Sequence, residues 1–213
     1  MKQLYDDLWQ TAVWQPFSGV NTHAYFLRCA GGNVLFYNTG HTADIQHMAE
    51  LGGIKYHYLS HRDEVGDSLS TIKERFDSTL CCGSQEQAAV EEFCAVDVVI
   101  AERQRHFAGI EIIPTPGHTA GSLSFLYKSP HGLTYLFTGD TLFQNKGRWD
   151  TLILRKAGGS AHDLANSLRL YQTLEPDVVI SSASTSGSRA VVEVEPAVWR
   201  VALDDNIRRL QQL

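Results

Sequence analysis

One pattern restricts this chain more than any other. Short apolar runs alternate with helix-like segments, and the alternation occurs twice. In the first half THAYFLRC (22–29), VLFYNTG (34–40), IKYHYLSH (54–61), STLCCGS (78–84) and DVVIAE (97–102) read as strands. Between them, ADIQHMAELGG (43–53), SLSTIKERF (68–76) and QEQAAVEEFC (85–94) carry apolar residues at helical spacing. Leu69, Ile72 and Phe76 share one helical face, with Asp67 or Ser68 as N-cap. The second half opens with GIEIIPTPG (109–117) and the hairpin pair SLSFLYKS and LTYLFTGD around SPHG. A helix over 161–175, the strand DVVIS (177–181), a serine-rich stretch and a closing helix over 197–213 behind Pro196 follow. Strands that group into two sets, each followed by helices, imply two sheets packed face to face with helices outside. The expectation is an α/β sandwich forming a single domain over residues 1–213.

Composition narrows the function. With 43% hydrophobic and 20% charged residues the chain is that of an ordinary globular protein. A net charge of -6 and no basic cluster argue against a nucleic-acid surface. VDVVIA (96–101) is too short to span a bilayer, and MKQLYDDLWQ has no apolar signal core, so a cytoplasmic protein without membrane contact is expected. Cys29, Cys81, Cys82 and Cys94 form no CxxC pair and read as small core side chains.

Three strand ends carry the chemistry. SHRDEVGD (60–67) follows IKYHYL, TPGHTAGS (115–122) follows IEII, and FTGDTLF (137–143) follows LTYL. Each sets a histidine or aspartate where a buried strand opens into a glycine-containing loop. Nitrogen and oxygen donors converging from several such loops are what a divalent metal ion needs. Taken singly, Asp140 could make an Asx-turn and His118 could bond its own loop. The three together, in this order, are far more specific.

TPGHTAGSLSF and FTGDTLF resemble the middle motifs of the metallo-β-lactamase superfamily, particularly its glyoxalase II-like hydrolase branch. YNTG resembles the family's Asp-Thr-Gly turn with Asn38 in place of the aspartate, and NTHAYFLR its opening strand. The resemblance implies an αββα sandwich of two mixed sheets with a metal cleft along one edge. The family's first motif, His-x-His-x-Asp-His, is reduced here to His61. Without gaps, Asp63 falls on the second histidine, Val65 on the aspartate and Gly66 on the last histidine. A two-residue insertion instead aligns Asp67 and Ser68 with the last two positions, and starts the next helix there. The histidine that the family carries after its final core strand is missing from Val179 to Ser188.

His61, His118 and Asp140, with Asp63 or Asp67 as a further donor, are therefore expected to hold one metal ion: zinc first, iron or manganese as alternatives. Asp140 would orient a bound water, and Asp67, Asp63 or Glu64 would take its proton. His23 and His41 lie in loops that the resemblance sets near the substrate. The leading expectation is a mononuclear hydrolase of a small ester, thioester or lactone. A non-catalytic binding module that has lost its metal comes second. A one-iron enzyme like the superfamily's persulfide dioxygenases comes third.

Overall fold

The computed structural model describes residues 1–213 and is a four-layer α/β sandwich. The first sheet runs β1 (Lys2–Tyr5), β2 (Leu8–Gln10), β5 (Tyr25–Leu27), β6 (Val34–Phe36), β7 (Tyr56–Tyr58), β8 (Thr79–Gly83) and β9 (Val98–Ile100). It is antiparallel up to β6 and parallel from β6 to β9. The second runs β10 (Gln104–Arg105), β11 (Glu111–Pro114), β12 (Leu123–Lys128), β13 (Thr134–Gly139), β16 (Val178–Ser181) and β18 (Val191–Glu193). Only its β13–β16 pair is parallel. A third, small sheet joins β15 (Arg148–Asp150), β14 (Phe143–Asn145), β17 (Ala183–Thr185), β4 (Val20–Thr22) and β3 (Trp14–Phe17) at one end.

Strand periodicity explains the layering. On β8, Cys81 faces the inter-sheet core while Leu80 and Cys82 face outward. There they meet Leu69 of α2 (Ser68–Phe76) and Val90 of α3 (Gln87–Glu91). On β11, Ile112 points inward and Ile113 outward, under α4 (Ala161–Tyr171) and α5 (Pro196–Leu210). Ile45 and Met48 of α1 (Thr42–Glu50) join the central cluster. Between the two large sheets Phe36 stacks on Phe137 at 4.0 Å, and Phe125, the cross-strand neighbour of Phe137, lies 5.1 Å from Phe36. Such ring contacts add about 1 kcal/mol each beyond burial. Cys81, Cys82 and Cys94 are buried thiols as expected, whereas Cys29 is half-buried. No helix is long and apolar enough to cross a membrane.

Tyr37 ties the layers together at the site end. It closes β6 with a left-handed backbone (φ 65°), and its phenol donates to the Ile180 carbonyl and accepts from the Gly139 amide. His57 on β7, fully buried, donates Nε2–H to the Tyr37 carbonyl at 2.6 Å. Burial pushes the His57 pKa down from 6.5 to about 4, partly offset by that bond. The unfolded chain therefore binds a proton in this window that the folded chain refuses. The contribution of neutral His57 is complete above pH 6.5 and is lost as pH falls toward 4, about 3 kcal/mol in all. His57→Gln should flatten that part of the acid dependence in urea titrations between pH 7 and 4. An unchanged pH slope would disprove the assignment.

Candidate metal centre

The ends of β7, β11 and β13 bring His61, His118 and Asp140 together. Both histidines are buried, their ring centroids 4.7 Å apart and nearly perpendicular. Asp140 Oδ2 lies 3.5 Å from His61 Nε2 and 3.9 Å from His118 Nε2. A carboxylate oxygen of Asp63, in the 3-10 turn Arg62–Glu64, completes a set with the two rings in which all ligand atoms fall within 4.8 Å of one another.

Each ring is oriented from behind. His118 Nδ1 stands 2.9 Å from the Leu152 carbonyl, which can only accept, so Nδ1 carries the proton and Nε2 presents its lone pair. That Nε2 is buried and bonds nothing in the protein. An orphaned buried acceptor aimed at a carboxylate and a second imidazole is costly unless a cation comes between them, so the donor set fits a small divalent ion. His61 Nδ1 is backed by Ser60 Oγ at 2.9 Å and Glu64 Oε1 at 3.3 Å. Glu64 is anchored in turn by the Ser60 amide and hydroxyl.

Electrostatics follow the same logic. Burial alone would lower the His61 pKa, but the Glu64 and Asp140 carboxylates outweigh it and hold His61 well above its ordinary range. Burial and the neighbouring His61 push His118 down. Burial would raise Asp140, yet the two imidazoles and the Ser182 hydroxyl hold it well below the usual carboxylate range.

The loops that carry these groups are locked by residues with no motif signature. Glu86, fully buried, accepts from the Arg62 amide (3.2 Å) and Nε (2.5 Å), from Thr119 Oγ1 (2.8 Å) and from the Gly121 amide (2.8 Å). It thereby ties the His61 loop to the His118 loop. Ser182 Oγ donates to Asp140 Oδ1. Gly139 (φ 54°) must lack a side chain, since a Cβ there would lie 2.3 Å from Ser60 Oγ. Gly117 (φ 138°) is equally constrained, with the Leu164 backbone of α4 at 2.3 Å.

Of the residues expected from the sequence, His61, His118, Asp140 and Asp63 converge. Asp67 does not: its backbone is right-handed helical, its side chain makes no cap bond, and it is exposed ahead of α2. The helix does begin at Ser68, but Ser68 Oγ bonds Asn38 Oδ1 at 3.2 Å and stays out of the cluster. Asn38 also donates to the Glu64 carbonyl, stapling this loop. Glu64 lies behind His61, so it positions that ring and does not face the cluster interior. His23 donates Nδ1–H to the Thr11 carbonyl at 3.0 Å, and its amide bonds the Ser182 carbonyl. His41 Nε2 lies 3.1 Å from the Val13 carbonyl and packs edge-on against Trp14, outside the cluster. Glu86, Ser182 and Tyr37 escaped sequence reading because each acts only through partners distant along the chain.

Comparison with known proteins agrees with this geometry. The model of the metallo-beta-lactamase superfamily matches residues 97–183. A probable metallo-hydrolase of Methanocaldococcus jannaschii is 42% identical over 67 residues, 31% of this chain and 28% of that protein. A probable polyketide biosynthesis zinc-dependent hydrolase of Bacillus velezensis is 28% identical over 140 residues, 64% of this chain and 58% of that one. The chain thus spans less than two thirds of the length of either relative. Among solved structures, a metallo-beta-lactamase from Pontibacter korlensis superposes with a TM-score of 0.72 at 15% identity, over 100% of this chain and 98% of its own. A metallo-beta-lactamase of Cronobacter sakazakii with a HARLDQ motif gives 0.65 at 15% identity, over 93% of each chain. At such identities the likeness is one of fold, here the αββα sandwich. The family model covers residues 97–183, the part of the chain that carries His118 and Asp140, and over its whole length the chain shares the fold of the metallo-β-lactamases.

Proposed function

We propose that this protein is a metal-dependent hydrolase that holds one divalent ion, zinc, between His61, His118, Asp140 and Asp63. Its substrate would be a small ester, thioester or lactone. The observation that carries this reading is the buried, unpartnered Nε2 of His118 facing Asp140 and the ring of His61. When bound, such an ion supplies Lewis-acid polarisation and a water acidic enough to attack at neutral pH. The chain's own groups supply the rest. Leu152 and Glu64 fix the two imidazoles, and Ser182 leaves Asp140 only one free oxygen edge toward the cluster. Asp63 is exposed while the two histidines are buried and Asp140 is half-buried, so the Asp63 carboxylate is the group that passes a proton between the cluster and solvent. Similarity to hydrolases, one of them named as zinc-dependent, supports both the reaction class and the metal.

Elemental analysis of protein purified without added metal should find about one ion per chain, zinc ahead of iron or manganese. His118→Ala should abolish that content. Asp63→Asn should weaken metal affinity by about tenfold or more, and Asp67→Asn should leave it within about twofold. Protein that stays metal-free after exposure to zinc, manganese and iron, and hydrolyses nothing, would establish a non-catalytic binding module instead. Stoichiometric iron with oxygen uptake on glutathione persulfide would establish an oxygenase.

Glu86→Gln offers a separate check on the scaffold. Its amide cannot accept from all four donors, so the variant should lose about 3 kcal/mol of stability and about 10- to 100-fold in metal affinity. Wild-type urea midpoint and metal affinity would show that the Glu86 bonds do not hold the site.

A further inference from the structure

A groove of about 550 Å³ opens where the edge strands of the two large sheets, β1 and β18, meet the β4–β17 pair. Its walls include Lys2, Gln10, Asn21, His23, Ser184 and Arg189. None of the four metal-site residues lines it, yet it is joined to them. Ser184 pairs with Asn21 across β17–β4, and the His23 amide bonds the Ser182 carbonyl at 2.9 Å. Ser182 is the residue whose hydroxyl holds Asp140. The floor of the groove therefore begins two residues, at most about 7 Å of chain, from the cluster's own support.

The chemistry of the walls is that of an oxyanion site. Lys2 and Arg189 take no part in ion pairs, which use Arg62, Lys73, Arg103, Arg208 and Arg209. Ser184 is only 3% exposed, and its hydroxyl opens on the groove without a protein partner. Asn21 engages Gln15 through Oδ1, which leaves its amide hydrogens to the groove. His23 donates from Nδ1 to Thr11, so its other nitrogen is an acceptor suited to a neutral donor on the same ligand. The acidic wall residue, Glu193, accepts from the Tyr5 hydroxyl at 3.0 Å. Two cations against this one carboxylate leave a single net positive charge, which matches a monoanion better than a phosphate dianion.

We propose that this groove binds a terminal carboxylate of the acyl substrate through Arg189, Lys2, Asn21 and Ser184, so that the chain hydrolyses esters or thioesters of dicarboxylic acids. The proposal rests on the hydrolase reading above, and two measurements separate the two. Isotope-labelled protein titrated with succinate should show amide shifts at Asn21, Ser184 and Arg189, and the apparent affinity should fall about tenfold in Arg189→Met. Shifts confined to the His118 and Asp140 loops, an affinity unchanged in Arg189→Met, or tighter binding of inorganic phosphate would overturn it. In steady-state kinetics the S-succinyl ester of N-acetylcysteamine should have a KM about tenfold below that of the S-butyryl ester, and Arg189→Met should erase the difference. Equal KM values in the wild type would also overturn the proposal. Turnover of neither ester would overturn the hydrolase reading alone, leaving the titration to decide the groove.

Discussion

The buried carboxylate of Glu86 is the constraint on which the sheet ends depend. A charge fully removed from water is tolerable only when several donors reach it, and here they come from two loops far apart in the chain. Arg62 belongs to the turn that carries Asp63, and Thr119 follows His118. Satisfying Glu86 therefore helps to set the distance between two of the proposed metal-binding groups. The approach is close enough to forbid side chains as well. A Cβ on Gly83 would lie 2.2 Å from the Gly121 carbonyl oxygen, and one on Gly121 would strike Glu86 itself. The loops dock backbone to backbone around one ion pair, leaving little freedom to drift.

Much of this was legible beforehand, and the reasons are physical. Buried strands announce themselves by alternation, so β8 and β11 could be read from runs whose neighbouring residues serve opposite layers. His61, His118 and Asp140 were visible because each ends such a run. The small sheet was not: WQPF, VNT, FQN, RWD and AST are short and partly exposed, with no apolar period to detect. The segment 85–94 read as one helix, yet only Gln87–Glu91 is α-helical. Glu86 looked like one more charge on a solvated face beside Glu91 and Glu92, and only its four distant donors reveal it. The choice between Asp63 and Asp67 turned on a single 3-10 turn, a feature local sequence does not announce.

The cluster also shows how a reduced ligand set keeps its shape. Two carboxylates flank His61, one behind it and one in front, and both favour the charged form of the ring. A hydroxyl, Ser182, occupies the remaining oxygen of Asp140 and keeps that carboxylate from turning away. The site thus combines one exposed acid, Asp63, with two buried imidazoles and the half-buried Asp140, and neighbours fix the orientations of these last three. Oriented groups beside one exposed acid would suit a centre that both retains a cation and exchanges with solvent.

The origin of the ligands has a consequence for how the molecule assembles. His61 is delivered by the first large sheet, whereas His118 and Asp140 are delivered by the second. Neither half of the chain contains a centre of its own, and contacts so distant in sequence form late, after loop closure has been met elsewhere. An occupant of the centre would recognise only the closed sandwich and would draw the equilibrium toward it by mass action. Occupancy would then act as a clasp across the seam between the two halves, slowing their separation as well as enabling chemistry at their edge.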